Sequence, residues 1–298
     1  MTTFDTRRAL APLLLLAVAA LATPARAEGP SIWEYQGAAG TVLMLGSVHV
    51  LRQQDYPLPA AVEAAYAAAD TLVMEIDTSS LDPLSAQMLI TGMGSLEPDR
   101  SMRSVMGQRD FDRASRLASE MGIDLTLMQQ FEPWFAALTI MNLQMMKMGF
   151  NPQIGLESHL SGQAVRDGKP IAGLETMEFQ LRLFDAMPER VQSDLLLQTL
   201  EEAGTMETEM DAMIRAWRAG DSAALARMMG KNFAEYPDVY EALVTRRNRD
   251  WSGKVVEMGE RPGTHLVVVG ALHLVGKDSL IKMLEQRGQR VNRWRPAD

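Results

Sequence analysis

The chain has 298 residues, no cysteine and a formal net charge of -9 at pH 7. The missing cysteines exclude disulfides, thiolate zinc sites and a cysteine nucleophile, so any metal must be held by His, Asp or Glu. The acidic balance argues against nucleic acid or an anionic membrane as the main partner.

Residues 1–27 read as a secretory signal peptide. Arg7 and Arg8 supply the positive start, Leu10 to Ala22 a short apolar run, and Ala25-Arg26-Ala27 a small-x-small cleavage step. The alternative is an uncleaved N-terminal anchor, although the run is short for a membrane span. Cleavage leaves a mature chain, 28–298, that is periplasmic or secreted and has no stable membrane span.

Ile32 to Tyr35 and Thr41 to Leu45 are predicted strands around a glycine turn, the second apolar enough to be buried on both faces. Pro59 to Ala69 is predicted helical and Thr71 to Ile76 a strand, the spacing of a parallel crossover unit. Residues 81–166 carry apolar residues at helical spacing, as in Leu84 to Ile90, Phe111 to Met121 and Trp134 to Met148. Pro170 to Leu174 is a short strand, and 177–260 form a second, more charged helical block. His265 to Val269 is another apolar strand, a helix follows from about Lys277 to Arg287, and Val291 to Trp294 closes the chain as a strand. The expected fold is α/β: a single domain with a central mixed sheet and two mainly helical insertions, at about 81–166 and 177–260, forming a cap.

Two segments share one frame: Val42-Leu-Met-Leu-Gly46-Ser-Val-His49 and Leu266-Val-Val-Val-Gly270-Ala-Leu-His273. Given 22 Gly and four His, roughly 0.3 Gly-x-x-His matches are expected by chance. Each motif ends a buried strand at a glycine, where the chain turns and approaches other groups closely. In open α/β sheets ligands bind outside the carboxyl ends of the strands, so two adjacent strands of this kind would bring both imidazoles to one site. Glu75 and Glu175 end apolar strands in the same way, and burying either carboxylate requires a partner. Four strands thus end in His, Glu, Glu and His, an N/O donor set suited to Zn, Mn or Co and to a carboxylate base beside an activated water. The competing reading keeps the histidines in the core and the glutamates in salt bridges.

Asp77 and Glu157 are secondary candidates, while His159 and His265 read as structural or exposed. Arg246-Arg-Asn-Arg-Asp-Trp251 could orient a substrate carbonyl, although spacing alone favours a solvated helix face. Met141, Met145 and Met148 fall at helical spacing; packing is the leading reading, with Cu(I) ligation the alternative. No Gly-x-Ser-x-Gly elbow, P-loop or His-Glu-x-x-His is present.

Taken in order, Leu45-Gly-Ser-Val-His49, Leu72-Val-Met-Glu75-Ile-Asp77, Gly155-Leu-Glu157, Gly173-Leu-Glu175-Thr-Met-Glu-Phe-Gln180, Arg247-Asn-Arg-Asp-Trp251 and Val269-Gly-Ala-Leu-His273 resemble the TraB/GumN family, most closely its bacterial exported GumN-like branch. The resemblance implies an α/β fold related to the erythromycin-esterase and ChaN-like superfamily. Through the TIKI-type members it implies a metal-dependent, peptidase-like hydrolase. His49, Glu75 and His273 would hold a divalent Mn, Co or Zn ion, and Glu175 would complete the catalytic set. Arg247, Asn248 and Glu157 would bind a peptide or small-molecule substrate. ChaN-like relatives bind haem, so a non-enzymatic haem- or metal-binding periplasmic protein is the alternative.

Overall fold

The apolar runs fold as expected. In the computed structural model, which describes residues 29–296, six strands form one mixed sheet. They are β1 (Ile32–Gln36), β2 (Gly40–Ser47), β3 (Thr71–Ile76), β4 (Ile171–Glu175), β5 (Gly263–Gly270) and β6 (Val291–Arg293). The expected signal peptide lies outside the described residues.

The sheet order is β4-β3-β5-β2-β1-β6. Strands β4, β3, β5 and β2 run parallel, whereas β1 and β6 are antiparallel additions at one edge. This order places the site. The four parallel strands are neighbours, and they are the four that carry Glu175, Glu75, His273 and His49 at or just beyond their carboxyl ends. Register keeps those ends level: Ser47 pairs with Gly270, Met74 with Val268 and Ile76 with Glu175.

The central strands β2 and β5 read as unbroken hydrophobic runs because both their faces are covered. One face packs Leu43, Leu45, Leu266 and Val268 beneath Val62, Leu160 and Trp217. The other packs Val42, Met44, Val267 and Val269 against Trp251, Val255 and Leu284. The helical stretches between β3 and β4 and between β4 and β5 hold a third core of their own, including Met102, Phe111, Ile140 and Leu196.

Gly46 lets the Gly-x-x-His segments meet, since a Cβ there would lie 2.9 Å from the Ala271 Cα. Gly155 does the same for a third segment. Its bare Cα sits against the His49 carbonyl, and the Leu156 N–H donates to the Val48 carbonyl at 3.1 Å. This close approach brings the first turn of the helix Leu156–Asp167, and with it Glu157, beside His49.

Candidate active site

Two linked clusters occupy the carboxyl edge of the sheet, one buried and one open. The buried cluster is centred on Arg247, on the helix Arg246–Gly259. Arg247 Nη2 donates to Glu75 Oε2 at 2.6 Å and to Glu175 Oε2 at 2.9 Å. Its Nε donates to Glu175 at 3.1 Å, and its Nη1 donates to the Leu243 carbonyl at 3.1 Å and to His273 Nε2 at 3.2 Å. The guanidinium has five N–H groups, and all five are engaged within the protein. Leu243 lies in a π-helical turn, Glu241–Thr245, a wide turn of a kind frequent at functional sites. The remaining oxygen positions are also held. Glu75 Oε1 accepts from the Gly270 N–H at 2.7 Å, Glu175 Oε1 accepts from Trp251 Nε1 at 2.9 Å, and Gln180 Nε2 donates to both carboxylates.

The protonation of His273 follows from this network. Asn248 Nδ2 donates to two carbonyls, of His273 and Asp278, so its Oδ1 is the atom that faces His273 Nδ1 at 2.8 Å. Nδ1 therefore carries the proton and donates. Nε2 accepts, because an arginine can only donate to it. His273 is thus a neutral imidazole held at both nitrogens, and burial pushes its pKa down to about 4. Burial is also the largest influence on Glu75 and opposes its ionisation. It is outweighed by His273, Arg247, His49 and the Gly270 N–H, which hold the carboxyl down to about 2. Near neutral pH His273 is uncharged, so Arg247 is the main cation acting on Glu75.

The open cluster is His49. Its Nδ1 meets Glu157 Oε1 at 2.5 Å, and Ser47 Oγ donates to the same oxygen. The Glu157 carboxylate is the largest influence on His49 and raises its pKa to about 9. The His49 side chain is 67% exposed, so water screens the pair and moderates that shift. Among the described residues Nε2 has no protein hydrogen-bond partner. The two clusters meet over Gly270. A methyl placed on its Cα would lie 3.4 Å from Glu75 Oε1, 3.5 Å from His49 Nε2 and 3.6 Å from His273 Cδ2. The space in front of Gly270 is thus faced by one free imidazole nitrogen and one carboxylate oxygen.

These shifts predict an asymmetric stability profile. His273 resists protonation when folded, so its stabilising contribution is lost as pH falls from about 6.5 towards 4. That of Glu75 is lost further down, from 4.5 towards 2. The His49 contribution runs the other way and fades as pH rises from 6.5 towards 9, weakly because the ring is open. Thermal unfolding across this range should show a maximum near pH 6.5 and a steeper acid limb. A flat profile from pH 7 to pH 4 would contradict the assignment of His273, and one that stays flat from pH 4.5 to pH 2 that of Glu75.

Several sequence expectations need correction. Arg247 and Asn248 do not lie on a solvated face: they are 8% and 0% exposed, because the carboxylates and His273 satisfy their polar groups. Nor are they placed to bind substrate, since their side-chain polar groups are all engaged internally. Glu157 holds His49 and Ser47 through Oε1, while its Oε2 is buried without a hydrogen-bond partner among the described residues. Asp77 closes a local turn on Ser79. His159 pairs with Glu63, and His265 lies within β5; neither belongs to the site. Three contributors went unrecognised as functional. Gln180 and Trp251 ended the quoted segments, and Ser47 sits two residues before His49.

A divalent cation on His49, Glu75 and His273 does not fit these side chains as they stand. His273 Nδ1 carries a proton and its Nε2 lone pair is taken up by Arg247, Glu75 Oε2 is held by Arg247 and Gln180, and the guanidinium already supplies the positive charge between the glutamates. Among the described residues no three His, Asp or Glu side chains are grouped to hold a metal.

A model of the TraB/PrgY/gumN family matches residues 31–293. The chain is similar to an uncharacterised protein, YbaP, of Escherichia coli K12, at 26% identity over 81% of this chain and 86% of that protein. It has the same similarity to the YbaP of Shigella flexneri. No solved structure matches.

Proposed function

The chain belongs to the TraB/PrgY/gumN family, and we propose that it is an exported hydrolase of peptide or other acyl bonds in which His49 activates water. The observation that carries this reading is the polarity of the His49 ring. Glu157 holds Nδ1, which leaves Nε2 as the one ring nitrogen open to a reactant and the base once the ring has lost its proton, facing the same space as a carboxylate that stays ionised. A base oriented by a second group is the recurring arrangement of hydrolytic sites. In the reaction, Nε2 takes a proton from water as the oxygen attacks the acyl carbon. The same proton then passes to the leaving amine or alcohol, so the imidazole returns to its starting state. Glu75 orients the water and favours the imidazolium that forms. Arg247, His273, Asn248 and Gln180 are positioning residues that keep Glu75 charged and fixed. Export rests on the composition of residues 1–27.

The pH profile tests this directly. A base must be deprotonated to act, so kcat/KM should rise with pH through the raised His49 pKa. In Glu157→Gln the raising charge is gone, and the limb should move to lower pH while the plateau rate falls. An unmoved limb would rule out His49 as the base. Activity should also survive exhaustive chelation. Loss with EDTA and recovery with Mn, Co or Zn would restore the metal-dependent alternative.

Gly270→Ala separates site from scaffold. Gly270 has φ -47 and ψ 133, a conformation alanine adopts freely, and its new methyl would meet only ordinary contacts. The melting temperature should hold within a few degrees while turnover drops, because the methyl fills the space between His49 and Glu75. Full activity in this variant would place the reacting water elsewhere.

A further inference from the structure

A cavity of about 530 Å³ lies among the helices beside the buried cluster, within the size range of small-molecule sites of ~300–1,000 Å³. It reaches that cluster through two residues. Leu272 precedes His273, and Leu243 holds Arg247 through its carbonyl. Seven methionines line it, among them Met141, Met145, Met187, Met210 and Met213. Flexible thioethers fill irregular space and adapt to guests of varied shape.

The polar lining limits what the guest can be. Thr199 donates to the Leu195 carbonyl, Gln198 to Glu202, and Lys231 to Glu209. Among the lining hydroxyls this leaves Tyr236 for a guest. A peptide would bring an N–H and a carbonyl with every residue, and burying those without partners is unfavourable. A hydrocarbon chain brings none. We propose that this cavity takes the long hydrocarbon chain of an acyl ester or amide, with the polar end directed past Leu272 towards the site. The inference rests on the hydrolase reading for its substrate, but not for its ligand.

The experiment uses the full chain and two readouts. In calorimetric titration with 1-alkanols from hexanol to dodecanol, Kd should fall about fourfold per added methylene, the factor given by burying one CH₂ at ~0.8 kcal/mol. The same series should bind His49→Ala equally well. Ala212→Trp and, independently, Thr199→Trp place an indole in the cavity and should abolish the length dependence. With p-nitrophenyl esters, kcat/KM should rise with acyl length in the unmodified protein. Ala212→Trp should lose that rise and keep its activity on acetate. Affinity that is flat with chain length, or indifferent to both tryptophans, overturns the proposal. Cleavage without length preference also overturns it, and leaves the hydrolase reading standing. Length-dependent binding without any cleavage does the reverse: the cavity ligand stands and the hydrolase falls.

Discussion

Arg247→Leu should destabilise the fold by about 3–5 kcal/mol, the usual result of removing one partner from a buried ion pair. The substitution leaves Glu75 and Glu175 facing each other at 12% and 4% side-chain exposure with no cation between them. It also strips the Leu243 carbonyl and His273 Nε2 of their donor. The deficit should depend on pH in a definite direction. Without the guanidinium, burial of Glu75 is less opposed and its carboxyl pKa rises, so the variant gains relative stability as pH falls. The shift in urea midpoint from the unmodified protein should therefore be larger at pH 7 than at pH 5. An equal shift at both would mean that Arg247 contributes packing rather than charge. Lysine at this position should rescue little, because a point charge cannot reproduce five forked donors.

His49→Ala should lower kcat by about 10²–10⁴, the range supplied by a positioned general base, while leaving the fold intact. The open position of the ring makes the second half of that expectation strong: truncation removes a half-solvated pair and opens no cavity. The informative comparison is with His273→Ala. That substitution should lower the melting temperature, because the imidazole is buried and satisfies both Asn248 and Arg247. It should also reduce activity indirectly, by letting Arg247 and then Glu75 shift. Equal stability loss in the two variants would contradict the division into an open catalytic histidine and a buried positioning one.

How much of this could be read in the residues differed by level. All six strands were legible, because a run such as Leu-Val-Val-Val between turn residues has few other ways to be buried. The matched Gly-x-x-His segments located two histidines at the sheet edge, and Glu75 and Glu175 were recognisable as carboxylates ending apolar strands. What was not legible is which of these groups are already engaged. A list of donor types fits a metal and a guanidinium equally well. Only the fold shows that Arg247 reaches between the two glutamates, from a helix whose charged spacing looks solvated. The pairing of His49 with Glu157 spans more than a hundred residues and depends on the backbone contact at Gly155, so no local pattern could reveal it.

The sheet order has a consequence for when the protein can act. Strand β5 lies between β2 and β3, although it comes almost last in the chain. Until it is in place, the His49 and Glu75 strands share no hydrogen-bonded neighbour, and neither Gly270 nor His273 is available. A chain that ends before β5, or whose β5 has not yet inserted, lacks this site. The closing contacts are long-range ones, the kind that form late in folding. On the hydrolase reading, topology alone withholds activity from such a chain.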